Sequence, residues 1–137
     1  MIAGLYKGVV HPWLCDAMGH LTTRHYMAMF DEASYHLLHQ ALGYAGPFGA
    51  YEGKGWADVK HVIEYKGELA AGTLIEIRGE LVKLGGKSIT ARYELINLAT
   101  GAVAATMESI TAYFDLKARA AIPITDRMRA SAATFLA

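Results

Sequence analysis

The chain has 137 residues, 53% of them apolar and 19% charged, which excludes a disordered chain and allows one domain. Its 13 basic and 13 acidic residues cancel and form no basic tract, so nucleic acid is not expected as a partner. The single cysteine, Cys15, allows no internal disulfide, and neither a secretory h-region nor an apolar run of spanning length is present. A cytoplasmic protein that does not enter a membrane is expected.

In chain order, Leu5 to Val10 reads as a short strand that stops at Pro12, whose missing N–H ends a ladder. The next stretch, His11 to Leu42, opens with a dense polar and aromatic turn and runs into the one long helical pattern. Tyr26, Phe30, Ala33, Leu37 and Ala41 repeat at helical spacing, with Met27, Ser34, Leu38 and Leu42 in the adjoining row. Thr22 or Thr23 is placed to cap this helix through its hydroxyl, and Gly43 to end it in a left-handed conformation. Gly43 to Gly55 carries five glycines and Pro47 and reads as a loop long enough to shape or cover a site.

Beyond it the period changes from 3.6 to 2. Val59–Lys66, Thr73–Leu84 and the run through Ile89, Ala91, Tyr93 and Leu95 alternate as strands, and Val103–Asp115 is apolar on parts of both faces, as an inner strand would be. Gly85-Gly86 and Ala99-Thr100-Gly101 read as turns between them. Thr125-Asp126 is placed to cap a short closing helix that reaches Leu136. These elements predict one α+β domain over residues 1–137, an antiparallel sheet wrapped around a single long helix, its four later strands consecutive and joined by tight turns. The outer face of the sheet is mixed in polarity, which points to a homodimer or homotetramer.

The stretch CDAMGHLTTRHYMAMFDEA at residues 15–33, in this order of elements, resembles the hotdog-fold acyl-CoA thioesterases of the 4-hydroxybenzoyl-CoA thioesterase type. Asp16, Gly19, His20, Leu21 and Tyr26 match that family's D-x-x-G-H-V-N-N-x-x-Y pattern in register, although Thr22-Thr23 stand where many relatives carry Asn-Asn. The resemblance implies hydrolysis of an acyl-CoA thioester without metal or redox cofactor, CoA entering as part of the substrate. It makes Asp16 the general base or nucleophile. The backbone amides of Thr23 and Arg24, unpaired at a helix start, suit a thioester carbonyl as its oxygen turns negative. Gly19 lets the backbone approach the substrate, His20 orients the turn or the substrate, and Tyr26 is chiefly structural with a minor lining role.

Trp13 and Trp56 offer aromatic faces to an acyl group or a quaternary ammonium, or pack in the core. The run H-P-W-x-C-D resembles thioesterases of betainyl-CoA and carnitine breakdown. Lys87 is a candidate for a CoA phosphate, against the plainer reading of a solvated turn lysine. On spacing alone an aspartate before a helix is usually a cap or turn residue, and the matched motif is what raises catalysis above that reading.

Other readings weigh less. Cys15 with His11, His20 or His25 lacks an orienting third residue for nucleophilic catalysis. The six histidines contain no HExxH, so no metal site is expected. Gly85-Gly86-Lys87-Ser88 resembles the end of a phosphate loop but has Leu81 where glycine is required. A hotdog dehydratase needs a differently placed His and carboxylate pair. The alternative in a different class is a non-catalytic hotdog module that binds acyl-CoA or a related acyl ligand.

Overall fold

The computed structural model describes residues 1–137. Strand β1 spans Ile2–Val9, helix α1 Thr23–Leu42, and strands β2 to β5 Lys54–Tyr65, Leu74–Leu84, Ser88–Asn97 and Val103–Asp115. A two-residue β6, Ala120–Ala121, and helix α2, Asp126–Ala133, close the chain. Short 3-10 turns at Pro12–Leu14 and Gly49–Tyr51 flank α1.

The helix follows its predicted bounds because its local signals agree. Eight residues of α1 are buried, seven of them from the apolar stripe, and Gly43 ends α1 at φ 71°, its amide reaching back to the His39 and Leu38 carbonyls. Thr22 is the N-cap but, contrary to expectation, its hydroxyl makes no capping bond. The Thr125 hydroxyl does cap α2, accepting from the Met128 amide at 3.2 Å. That helix ends at Ala133, short of the expected Leu136.

All strands form one antiparallel sheet in the order β1-β3-β4-β5-β2, with β6 beside β5. Here the expected chain of neighbouring strands needs correction. The strand β2 does not pair with β3 but crosses the molecule to β5, from Lys54 opposite Asp115 to Tyr65 opposite Ala105. The connection from β2 to β3, residues 66–73, is accordingly a crossing segment rather than a tight turn. Strand β2 also starts earlier than its alternation suggests, because a bulge at Val59 interrupts the register. This bulge turns Val59 outward, 65% exposed. Trp56, expected just after the glycine-rich loop and before the strand, therefore lies within β2.

The sheet curls around α1. Phe30 and Leu37 pack on Leu5, Ile75, Ile77, Leu95 and Met107, all essentially inaccessible, and the Phe30 and Tyr93 rings lie 6.4 Å apart. Each such side chain contributes roughly 1.5–3 kcal/mol by leaving water. A second cluster joins the end of α1 to α2 through Leu38, Leu42, Leu81, Tyr113 and Met128. On the outer face, Arg78 pairs with Glu76 at 2.6 Å, and Arg92 pairs with Glu80. No helix is long and apolar enough to cross a membrane.

Packing of neighbouring strands on the concave face needs a glycine at position 79. A Cβ at Gly79 would sit 2.7 Å from the Tyr93 ring and 2.8 Å from the Leu5 side chain, both buried. Gly79→Ala is expected to lower stability by about 1–3 kcal/mol through overpacking, read by urea unfolding. An unchanged midpoint would show that the core yields there.

Candidate active site

After β1 the chain makes its 3-10 turn and then a tight return around Asp16. The Asp16 amide donates to the His20 carbonyl at 2.9 Å, and the Gly19 amide to the Asp16 carbonyl at 3.0 Å. Gly19 adopts φ 81°, which a residue with a side chain rarely does. The carboxylate is partly a turn brace: Oδ1 accepts from the Met18 amide at 2.9 Å and from the His20 amide at 3.5 Å. Oδ2 accepts nothing within the chain. This is the ordinary aspartate-turn geometry with one oxygen left over.

The turn is held from both sides. Thr22 donates its amide to the Leu14 carbonyl at 3.0 Å and Leu21 to the Leu69 carbonyl at 2.8 Å, tying it to the crossing segment. From that segment Glu68 reaches His20 Nε2 at 3.3 Å. Because Glu68 comes from a distant part of the sequence, no local spacing signalled it.

At the start of α1 the His25 amide turns back to the Thr22 carbonyl at 3.0 Å, whereas the Thr23 and Arg24 amides donate to no carbonyl. The first turn carries no acidic residue. Two N–H groups and the positive end of a 20-residue helix therefore stand open beside the Asp16 turn. Tyr26 is buried one turn on and meets Tyr65 edge-on at 5.1 Å between ring centres. Burial pushes the Tyr26 phenol up, and Tyr65, Glu68 and Asp16 add to the shift. Those four side chains thus share one electrostatic neighbourhood.

The structure brings Asp16, Gly19, His20, Thr23, Arg24 and Tyr26 to this end of the sheet. Trp13 lies on the same approach, 73% exposed and stacked on His11 at 4.3 Å. Trp56 and Lys87 are not there. Trp56 packs on Tyr113 at 5.2 Å, and the Lys87 carbonyl receives the Tyr113 amide at 2.8 Å, so both sit near the far end of α1. A helix of that length spans about 30 Å, which keeps them from Asp16 of the same chain. The Cys15 thiol donates to the His11 carbonyl at 3.6 Å, not to an imidazole.

A second polar group went unseen in the sequence because two strands and the helix supply it. Asp58 of β2 lies 3.5 Å from His61 Nε2 and accepts from the Thr111 hydroxyl at 3.2 Å. Asp31 of α1 faces it. Burial, then Asp58, raises the Asp31 carboxyl above its ordinary value; His61 opposes the rise and Glu32 adds to it. Asp16 is half-buried and lines none of the main cavities of the single chain.

With this geometry in hand, the chain can be compared with known proteins. Residues 10–131 match the sequence family described as the thioesterase-like superfamily, and the chain belongs to that family. Its fold, a curled antiparallel sheet around one helix, is the α+β hotdog fold. A protein of Pseudomonas aeruginosa superposes with a TM-score of 0.85 at 18% identity, over 100% of this chain and 92% of that one. A gentisyl-coenzyme A thioesterase gives 0.80 at 24% identity, over 93% and 98%. A Staphylococcus aureus protein solved in complex with CoA gives 0.84 at 14% identity, over 98% and 85%. No functionally curated protein matches the chain.

Asp31 yields a pH-dependent expectation. Its folded pKa lies above the unfolded one, so its contribution to stability is full below the ordinary carboxylate range and is lost as pH rises through the raised value. Asp31→Asn is therefore expected to raise the melting temperature at neutral pH more than in acid. An equal shift at both would show that the proton on Asp31 does not matter to folding.

Proposed function

We propose that the protein hydrolyses an acyl-CoA thioester at the Asp16 turn. The observation that carries this reading is that Asp16 Oδ2 and, seven and eight residues on at the start of α1, the Thr23 and Arg24 amides are all left without a partner in the chain. Membership of the thioesterase-like superfamily and a structural relative that binds CoA support the choice of substrate.

In the proposed reaction the thioester oxygen lies against the Thr23 and Arg24 amides. Asp16 Oδ2 takes a proton from water, and the resulting hydroxide adds to the carbonyl carbon. The oxyanion is held by the two N–H groups and by the helix dipole, each donor contributing about 3 kcal/mol to the barrier. Collapse breaks the carbon–sulfur bond, releasing CoA thiolate and the free acid. Direct attack by Asp16 through a mixed anhydride uses the same atoms and requires the same amides. The Oδ1 bonds fix the carboxylate so that its other oxygen is held ready, while His20, steadied by Glu68, keeps the turn in place. No metal or redox cofactor enters this scheme.

A thioester needs walls that the single chain does not provide. The outer side of β2 has no partner strand, and Val59, Val62 and Tyr65 are exposed along it. An uncovered twelve-residue edge is a template for pairing. Addition of a second copy there would enclose the site beside Tyr65 and set the other subunit's Trp56 and Lys87 free to contribute. A homodimer, alone or doubled into a tetramer, is the assembly we propose. Trp13, stacked on His11 by one face and exposed on the other, suits an aromatic or cationic acyl group, in keeping with substrates of the 4-hydroxybenzoyl-CoA or betainyl-CoA kind.

Thiol release from a panel of acyl-CoAs tests the reading. The wild-type chain is expected to turn over at least one of them, and Asp16→Asn to lose about a hundredfold or more in kcat while still binding CoA. A wild-type chain that binds acyl-CoA without turnover would instead establish a non-catalytic acyl-CoA module.

A further inference from the structure

The largest cavity lies at the opposite end of α1 from Asp16, with a volume of about 530 Å³. That volume falls in the range of small-molecule sites. Its walls are Leu42 at the end of α1, Phe48 and Tyr51 of the following loop, Tyr113 of β5, and Met128 of α2. The cavity is open because the loop swings wide through Gly43 and Gly46, at φ 71° and 105°. Phe48 lies against Gly46, where a Cβ would meet its ring at 2.7 Å, and stays 73% exposed.

Most polar groups of the wall are already engaged. The Tyr51 hydroxyl donates to the Leu42 carbonyl at 2.8 Å, and burial raises its pKa to about 12. The Ser131 hydroxyl donates to the Ala41 carbonyl at 2.9 Å, and Thr125 caps α2. What remains is the Tyr113 hydroxyl, which has no partner in the chain, and the one charged group, Arg127. Its neighbour Arg129 donates to the Gly85 and Gly86 carbonyls at 2.7 and 3.1 Å, whereas the exposed Arg127 has neither ion pair nor hydrogen bond. No acidic side chain lines the cavity.

An aromatic-walled cavity with one free guanidinium and no acid selects an apolar body carrying an anion. We propose that it is a second ligand site, for an amphipathic carboxylate whose aromatic or short aliphatic body lies on Phe48, Tyr51 and Met128 and whose carboxylate meets Arg127. The site does not depend on the role of Asp16. Free carboxylic acids are nevertheless what thioester hydrolysis releases, so where both hold, product binds here as well.

Fluorescence of anilinonaphthalenesulfonate, an aromatic anion, tests the site in the whole chain, with octanoate and octanol as competitors. The dye is expected to bind, and octanoate to displace it at a concentration at least tenfold below that of octanol. Arg127→Gln should erase that preference, and Ala50→Trp, which fills the cavity from an exposed position, should abolish dye binding. Asp16→Asn should leave both unchanged. Absence of dye binding, an acid preference that survives Arg127→Gln, or its loss in Asp16→Asn would each overturn the proposal.

Discussion

The broad apolar stripe of α1 has to be covered, and in this chain only the concave face of the antiparallel sheet can cover it. Phe30, Ala33 and Leu37 have no accessible surface, and Gly79 gives up its side chain so that Tyr93 and Leu5 of the neighbouring strands can pack on the concave face. Once the helix is locked in the curl, the position of both its ends follows. Its first amides emerge where the β2–β3 crossing segment binds the Asp16 turn, and its last turn meets α2 and the glycine-rich loop. Both proposed sites are consequences of where a buried helix has to stop.

Much of this was legible in the sequence, for identifiable reasons. Helical spacing and a left-handed glycine mark α1, and alternation marks β2, β3 and β4, because these signals are local. Strand order is not local. Alternation tells which face a residue takes but not which strand lies beside it, so the crossing of β2 to β5 and the small β6 were invisible. The bulge at Val59 likewise hid the true start of β2, and with it the placement of Trp56.

The Asp16 turn was legible through its family pattern more than its physics. Taken alone, the aspartate reads as a brace, and Oδ1 is one; what a pattern could not reveal is that Oδ2 remains available. The expected hydroxyl cap from Thr22 is missing, which leaves more of the helix start open than the sequence suggested. Glu68, and the group formed by Asp31, Asp58 and His61, lay beyond reach because each joins residues from separate elements. Lys87 and Trp56 failed to join Asp16 for the opposite reason. Their chemistry was suitable, but only the topology decides which end of the sheet they occupy.

The account rests on the open amides at the head of α1 being where the thioester sits. Backbone amide NMR during titration with a non-hydrolysable acyl-CoA analogue tests this most directly. The largest shifts should fall on Met18 to Arg24, with smaller ones along the outer edge of β2. Shifts that spare this turn and gather instead in the loop after Gly43 and in α2 would place the substrate elsewhere and contradict the account.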